Sequence, residues 1–302
     1  MGSCIYEKIS IMMTGPVFLR TLETGELEKK AGMAIEMLSS CNVCPRQCGV
    51  DRVSGERGYC RGGFLPKISS HGPHFGEEPP LVGRHGSGTI FFTGCNMKCR
   101  FCQNSSISQQ DFGSEISCEK LAAIMLALQD RRCHNINLVS PSHFVPQILN
   151  AVYIAAKEGL KIPLVYNTGT YDSVETLRLL DGVVDIYMPD AKYGDNRVAL
   201  ELSDAPNYFD NMKGAILEMQ RQVGDLEIVD GIATRGLLIR HLVLPDDLAG
   251  SEQVMEFIAE EVSKDAYVNV MDQYRWCRAI PEHEFVEKYP GYESLLRGIT
   301  NE

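Results

Sequence analysis

The sequence predicts an α/β chain: a partial (β/α)6 TIM barrel preceded by a small N-terminal metal-binding lobe. Three observations predict it. From residue 89 onward, short near-continuously apolar runs alternate with amphipathic stretches about six times, the pattern of parallel strands covered by helices. Polar residues gather just after those runs, which in a barrel is the mouth where sites are built. Finally, seven cysteines fall into two tight sets, Cys41, Cys44, Cys48 and Cys60, then Cys95, Cys99 and Cys102.

In chain order, Leu22, Leu27, Ala31, Ala34, Ile35 and Leu38 share one helical face between charged residues, so a packing helix opens the chain. The first cysteine set follows at C-x2-C-x3-C-x11-C, with glycines supplying tight turns, and reads as a closed metal site holding either zinc or an iron–sulfur cluster. The Gly- and Pro-rich stretch 71–88 reads as a loop, in which His74 and Glu77 are substrate or supporting candidates. Strands are expected near 89–92, 135–140, 163–167, 184–188, 237–244 and 267–271, with helices near 117–130, 145–159, 173–181, 205–224 and 251–263. These divide the chain into 1–85 (helix and lobe), 86–280 (barrel) and 281–302 (tail). Six units in place of eight leave one side open, which suits a large substrate.

The totals narrow the function. A chain of 302 residues with 44% apolar content can bury one large core. A net charge of −11 argues against a non-specific nucleic-acid or anionic-membrane face. No run approaches the roughly 20 apolar residues of a membrane span, and the first residues lack a signal-peptide plan, so the expected compartment is the cytoplasm. Clustered cysteines there point to metal binding and not to disulfides.

The central motif is TIFFTGCNMKCRFCQN. A buried strand empties through Thr93-Gly94 into C-x3-C-x2-C. Three thiolates from one loop can hold three corners of a cubane cluster whose usual ligand set is four cysteines. One iron is then left for a chelating cofactor that is reduced by one electron. A zinc site completed from elsewhere, or three buried thiols, are the alternatives on spacing alone.

Those residues, with Phe101 before the last cysteine, resemble the radical S-adenosylmethionine (radical SAM) superfamily. The resemblance extends through CNVCPRQCGV, HFGEEPPLVG, VYNTGTYDSVETLRLLDGVVDIYMPDAKY, RGLLIRHLVLP and VNVMDQY to proteins described as similar to pyruvate formate-lyase activating enzymes. It implies a partial barrel of the radical SAM type and a [4Fe-4S] cluster on Cys95, Cys99 and Cys102. It also implies cleavage of S-adenosylmethionine to a 5′-deoxyadenosyl radical for hydrogen abstraction, and a one-electron donor such as flavodoxin or ferredoxin. A glycyl-radical protein is the substrate that the branch implies; a small molecule or a peptide is the rival, and a zinc-stapled binding protein the rival from another class.

For the cofactor, Ser140 and Ser142 stand where the family's Gly-rich segment contacts the ammonium group. Asn167 and Thr168, with Asp190 and Lys192, resemble the segment beside the carboxylate, where a monovalent cation can sit. Strand alternation sends Arg240 and His241 to opposite faces, and Arg240 is the expected carboxylate clamp, since a buried Arg needs an anion. Gln273 and Tyr274 are expected at the mouth. Cys118, Cys133, Cys277 and Cys4 read as inert thiols.

Overall fold

The computed structural model describes residues 15–277 and 280–299. Helices α1 (Val17–Glu23) and α2 (Glu26–Glu36) lead into the cysteine lobe. Strand β1 (Lys67–His74), helix α3 (Pro79–Val82) and strand β2 (Ser87–Phe92) follow, then α4 (Ser105–Ser108) and the two-residue β3 (Ser114–Glu115). Next come α5 (Cys118–Asp130), β4 (Ile136–Val139), α6 (Val145–Lys157), β5 (Leu164–Thr168), α7 (Val174–Leu179) and β6 (Ile186–Pro189). The chain continues through α8 (Asn196–Ser203), α9 (Tyr208–Val223), β7 (Glu227–Val229), β8 (Ile232–Leu242), α10 (Ser251–Phe257), β9 (Tyr267–Met271) and α11 (Glu282–Lys288).

Strands β2, β4, β5, β6, β8 and β9 pair in parallel in that order, giving the expected six-stranded partial barrel. Alternation sorts the side chains. Val165, Ile186, Met188 and Leu238 turn inward and pack with Leu81, which α3 lays among them. Tyr166, Tyr187, Leu237 and Ile239, one residue out of phase, join the core beneath the helices. The sheet stays open between its β1 edge and β9, and that gap is crossed by Asn269 Nδ2, which donates to Glu78 Oε1 at 3.1 Å. Among the described residues, no helix is long and apolar enough to cross a membrane.

Several expectations need correction. The stretch 71–88 is not one loop: β1 runs antiparallel to β2 through His74, so the sheet continues across residue 85. Helix α8 adds a turn of structure the pattern does not announce, and the 205–224 helix begins only at Tyr208. Asp204 (φ 50°) and Asn207 (φ 53°), both left-handed, separate the two. Such residue types tolerate that region, and the break lets backbone carbonyls of Leu202 and Ser203 face the cysteine loop.

At the barrel floor, Asp185 accepts from the backbone N–H groups of Val17 (2.8 Å) and Leu164 (2.9 Å), tying α1 to the sheet. Burial pushes its carboxyl from 3.8 up to about 7. The folded state therefore holds a proton there that the unfolded chain has lost, and this contribution to stability declines as pH rises from about 4 to about 7 and is flat above. Urea unfolding of Asp185→Asn should lose that slope.

Candidate active site

The cysteine loop is fixed along its whole backbone. Gly94 N–H donates to Ile107 O, Lys98 N–H to Ser203 O and Arg100 N–H to Leu202 O, each at 2.9 Å. The Gln109 amide donates to Cys99 O at 2.9 Å. Phe101 is buried edge-on against Tyr193 and Tyr274, with centroids at 6.5 and 5.7 Å. With the main chain held, Cys95, Cys99 and Cys102 stand within electrostatic reach of one another. The Cys95 sulfur accepts the Met97 N–H at 3.4 Å, and Cys102 Sγ lies 3.2 Å from Ser108 Oγ. Burial pushes the Cys95 thiol up to about 12 and raises that of Cys99.

Facing the loop, Lys192 Nζ donates to Asp190 Oδ2 at 2.6 Å, while Arg240 Nε donates to Asp190 Oδ1 at 2.7 Å. Arg240 Nη2 reaches Asn167 Oδ1 at 2.8 Å, and its Nη1 stands 3.7 Å from both Glu77 and Glu78. Burial alone would raise the Asp190 carboxyl, but Arg240 and Lys192 outweigh it and hold it below the usual range. For Lys192 burial pulls the other way, yet Asp190 and the Cys99 thiol beside it leave the ammonium more firmly protonated than usual. Glu77 is raised, chiefly by burial. Glu78 is 6% exposed and its Oε2 has no partner. One wall of the barrel thus carries a partly buried set of charges, of which Lys192 and Asp190 act on the Cys99 thiol.

The structure brings Asn167, Asp190, Lys192 and Arg240 together as expected. It turns Arg240 inward while His241, fully buried, bonds Ala191 O at 2.6 Å and Ser251 Oγ at 2.8 Å on the helix side. Ser142 and Thr168 belong to an adjoining buried network. Ser142 Oγ meets Thr168 Oγ1 at 3.0 Å, and Thr168 donates to Asp172 Oδ2 at 2.6 Å, whose other oxygen takes Tyr166 OH at 2.7 Å. Ser140 sits at φ 56°, its N–H bonded to Asn167 O. Gln273 is exposed and Tyr274 gives its hydroxyl to Leu295 O at 2.7 Å in the tail, so neither presents its polar end at the mouth. Cys277 lies within electrostatic reach of Cys102, whereas Cys4 is outside the described residues.

The lobe docks directly on this loop. Cys41, Cys44 and Cys60 are buried, Cys48 is exposed, and their thiols influence one another. Arg52, 1% exposed, donates to Gly63 O and to His143 O, and His143 Nε2 bonds Thr93 O at 2.9 Å. Because a carbonyl accepts there, Nε2 carries the proton, and burial lowers the imidazole to about 4, leaving it neutral. Arg46 Nε donates to Asn96 O at 2.9 Å from above the Tyr59 ring, 3.6 Å from its centroid. Gly94, at φ 85°, lets the two parts touch: a Cβ would lie 2.4 Å from Cys60 O. Gly94→Ala is therefore expected to cost ~2 kcal/mol or more, read as a lowered unfolding midpoint together with iron loss after reconstitution.

The donor chemistry fits iron–sulfur: three cysteines from one loop match three corners of a cubane, and the four-cysteine set, which lines a single cavity, matches a cluster or a zinc ion alike.

Sequence reasoning missed Glu78, His143, Asn96, Arg46 and Arg52 as parts of one assembly. The acidic pair ahead of Pro79-Pro80 was the available signal, since a buried Arg240 demands anions; the others are joined only through long-range contacts.

Compared with known proteins, residues 89–232 match the family model described as the Radical SAM superfamily. An uncharacterised protein of Methanocaldococcus jannaschii is 36% identical over 283 residues, covering 90% of this chain and 77% of that one. Two solved structures are similar at lower levels. Native anSMEcpe with bound AdoMet has a TM-score of 0.43 and 12% identity over 59% of this chain. The same protein with AdoMet and Cp18Cys peptide has 0.43 and 11% over 60%. This chain spans about half the length of each, 49% and 48%.

Proposed function

We propose that this chain, which carries a Radical SAM superfamily domain at residues 89–232, is an enzyme that reductively cleaves S-adenosylmethionine on a [4Fe-4S] cluster held by Cys95, Cys99 and Cys102. The observation that carries this reading is the meeting of those three thiols with the Lys192–Asp190–Arg240 wall. When bound, the cluster supplies one electron to the sulfonium, giving methionine and a 5′-deoxyadenosyl radical that abstracts hydrogen.

The chain's own residues do the rest. Lys192, beside Cys99, offers a fixed positive charge for the cofactor's carboxylate. Asp190 holds Lys192 and Arg240 in position, so the positive charge that a monovalent cation would otherwise bring to this place is supplied by Lys192. Arg240 acts through Asp190 and Asn167, since its donors are engaged there. Ser142 and Thr168 brace the β4 and β5 ends around Asp172, leaving the Ser140 turn as the contact for the ammonium group. Met97 and Lys192 flank Gly169, whose Cβ would meet both within 3.4 Å, so a side chain there would press on Lys192.

The four-cysteine lobe is the second metal site, whose all-thiol set suits an iron–sulfur cluster or zinc. The open side between β1 and β9 suits a polypeptide substrate, of which a glycyl-radical protein is the one that the resemblance implies. An electron donor of the flavodoxin or ferredoxin class and a reducing, cytoplasmic setting complete the reading. Anaerobically reconstituted protein given dithionite and S-adenosylmethionine should release 5′-deoxyadenosine and methionine in equal amounts. Intact cofactor after many hours, with the cluster present and reduced, would overturn the reading.

A further inference from the structure

The side-chain amide of Asn96 lies between the two cysteine sets. Its Oδ1 is 4.0 Å from Cys95 Sγ and its amide donates to Tyr171 O at 2.5 Å, while Cys44 lies near enough that the same amide offsets part of the rise that burial gives its thiol. Asn96 is 4% exposed and its own carbonyl is gripped by Arg46 of the lobe, so this spacer is rigid and dry. The lobe is also polarised. Cys44 faces the barrel loop, whereas Cys48 alone of the four is exposed, packed over Gly58, where a Cβ would come 2.8 Å from its sulfur. Arg46, Arg52, Arg57 and Arg61 stand in the lobe against Asp51 and Glu56, a positive excess in a chain of net charge −11. Arg57 and Arg61 are exposed, Arg57 paired with Glu115 of β3 and Arg61 left without an ion pair among the described residues.

We propose that the lobe holds a redox-active iron–sulfur cluster and is the electron port of the barrel site, with Cys48 and its arginines facing an acidic carrier protein and Cys44 facing Cys95 across Asn96. The proposal rests on the barrel thiols holding their own cluster, as argued above. A structural staple explains four cysteines; it does not explain why one opens to solvent under a basic surface while another lies one amide away from the barrel thiols. The step is simple to balance. One electron leaves a reduced flavin or iron–sulfur carrier, reduces the lobe's iron, and passes on to the iron held by Cys95, Cys99 and Cys102, returning the lobe to its oxidised form. No bond forms or breaks, and no proton is required.

The test uses the full chain, reconstituted anaerobically. The expected content is about eight irons, and the dithionite-reduced protein should give an electron paramagnetic resonance spectrum broadened by two interacting clusters. The Cys95→Ala/Cys99→Ala/Cys102→Ala variant should return a sharp, isolated lobe signal. Arg57→Glu/Arg61→Glu, which keeps every cysteine, should retain its iron yet be reduced by flavodoxin at least tenfold more slowly at low ionic strength. Zinc in the lobe with about four irons per chain, a wild-type spectrum equal to the plain sum of two signals, or flavodoxin rates unchanged by charge reversal would each overturn the proposal. Dithionite-driven cofactor cleavage is scored separately: its presence beside a zinc lobe defeats only the port, and its absence beside two coupled clusters defeats only the barrel chemistry.

Discussion

Cys99→Ala is expected to reduce release of 5′-deoxyadenosine to background, a fall of at least ~10³-fold, because it removes the ligand that no neighbour can replace. Lys192, beside that thiol, is a cation held protonated by Asp190 and cannot take a metal's corner, and the Ser203 hydroxyl, the other polar group there, is a far weaker iron ligand than a thiolate. Met97 is buried against Gly169 and Ser108 already meets Cys102. The variant should still fold, since the loop's backbone bonds to Leu202, Ser203 and Ile107 do not involve the thiol. Iron analysis of the reconstituted variant should show the barrel's share lost and the lobe's retained. A variant that keeps both full iron and turnover would contradict the assignment of Cys99 as a ligand.

Asp190→Ala should be the most damaging change outside the cysteines. Its two oxygens carry the hydrogen bonds to Lys192 and Arg240, at 2.6 and 2.7 Å. Deleting them strands two partly buried cations, of which Arg240 alone keeps loose acidic neighbours at 3.7 Å in Glu77 and Glu78. Breaking one member of a buried charge set typically costs about 3–5 kcal/mol, a loss readable as a shift in urea midpoint. The cofactor should bind at least tenfold more weakly as well, because Lys192 would no longer be aimed. The sign with pH follows from the lowered carboxyl: the wild type's Asp190 contribution is complete above the unfolded pKa near 3.8 and fades as acid drives the pH through the lower folded value. The alanine variant should lack that acid-side loss.

Much of this arrangement could be read from residue order. Apolar runs located the six parallel strands because the inner ones are buried on both faces, while β9, with Val270 54% exposed, was found by its β-branched composition alone, and the three-thiol loop stood out because its spacing is local. The opposite facing of Arg240 and His241 followed from strand alternation, as the structure bears out. Strand β1 escaped notice since KISSHGPH carries polar residues, glycine and proline, and earns its place only by pairing with β2. Ser142 and Thr168 looked free for a ligand; Asp172, which engages Thr168 directly and lies within the same network, cannot be identified as their partner from spacing. The joining of lobe and barrel through Asn96, Arg46 and His143 depends on contacts separated by 50 residues, which periodicity does not encode.

The most direct test of the central claim is the response of the reduced barrel cluster to S-adenosylmethionine, recorded by electron paramagnetic resonance in a Cys41→Ser/Cys44→Ser/Cys48→Ser/Cys60→Ser variant that isolates it. A cluster held by three cysteines has one iron free to take the cofactor, and its signal should shift on addition of S-adenosylmethionine but not of adenosine. A signal indifferent to the cofactor, or zinc recovered on Cys95, Cys99 and Cys102, would contradict it.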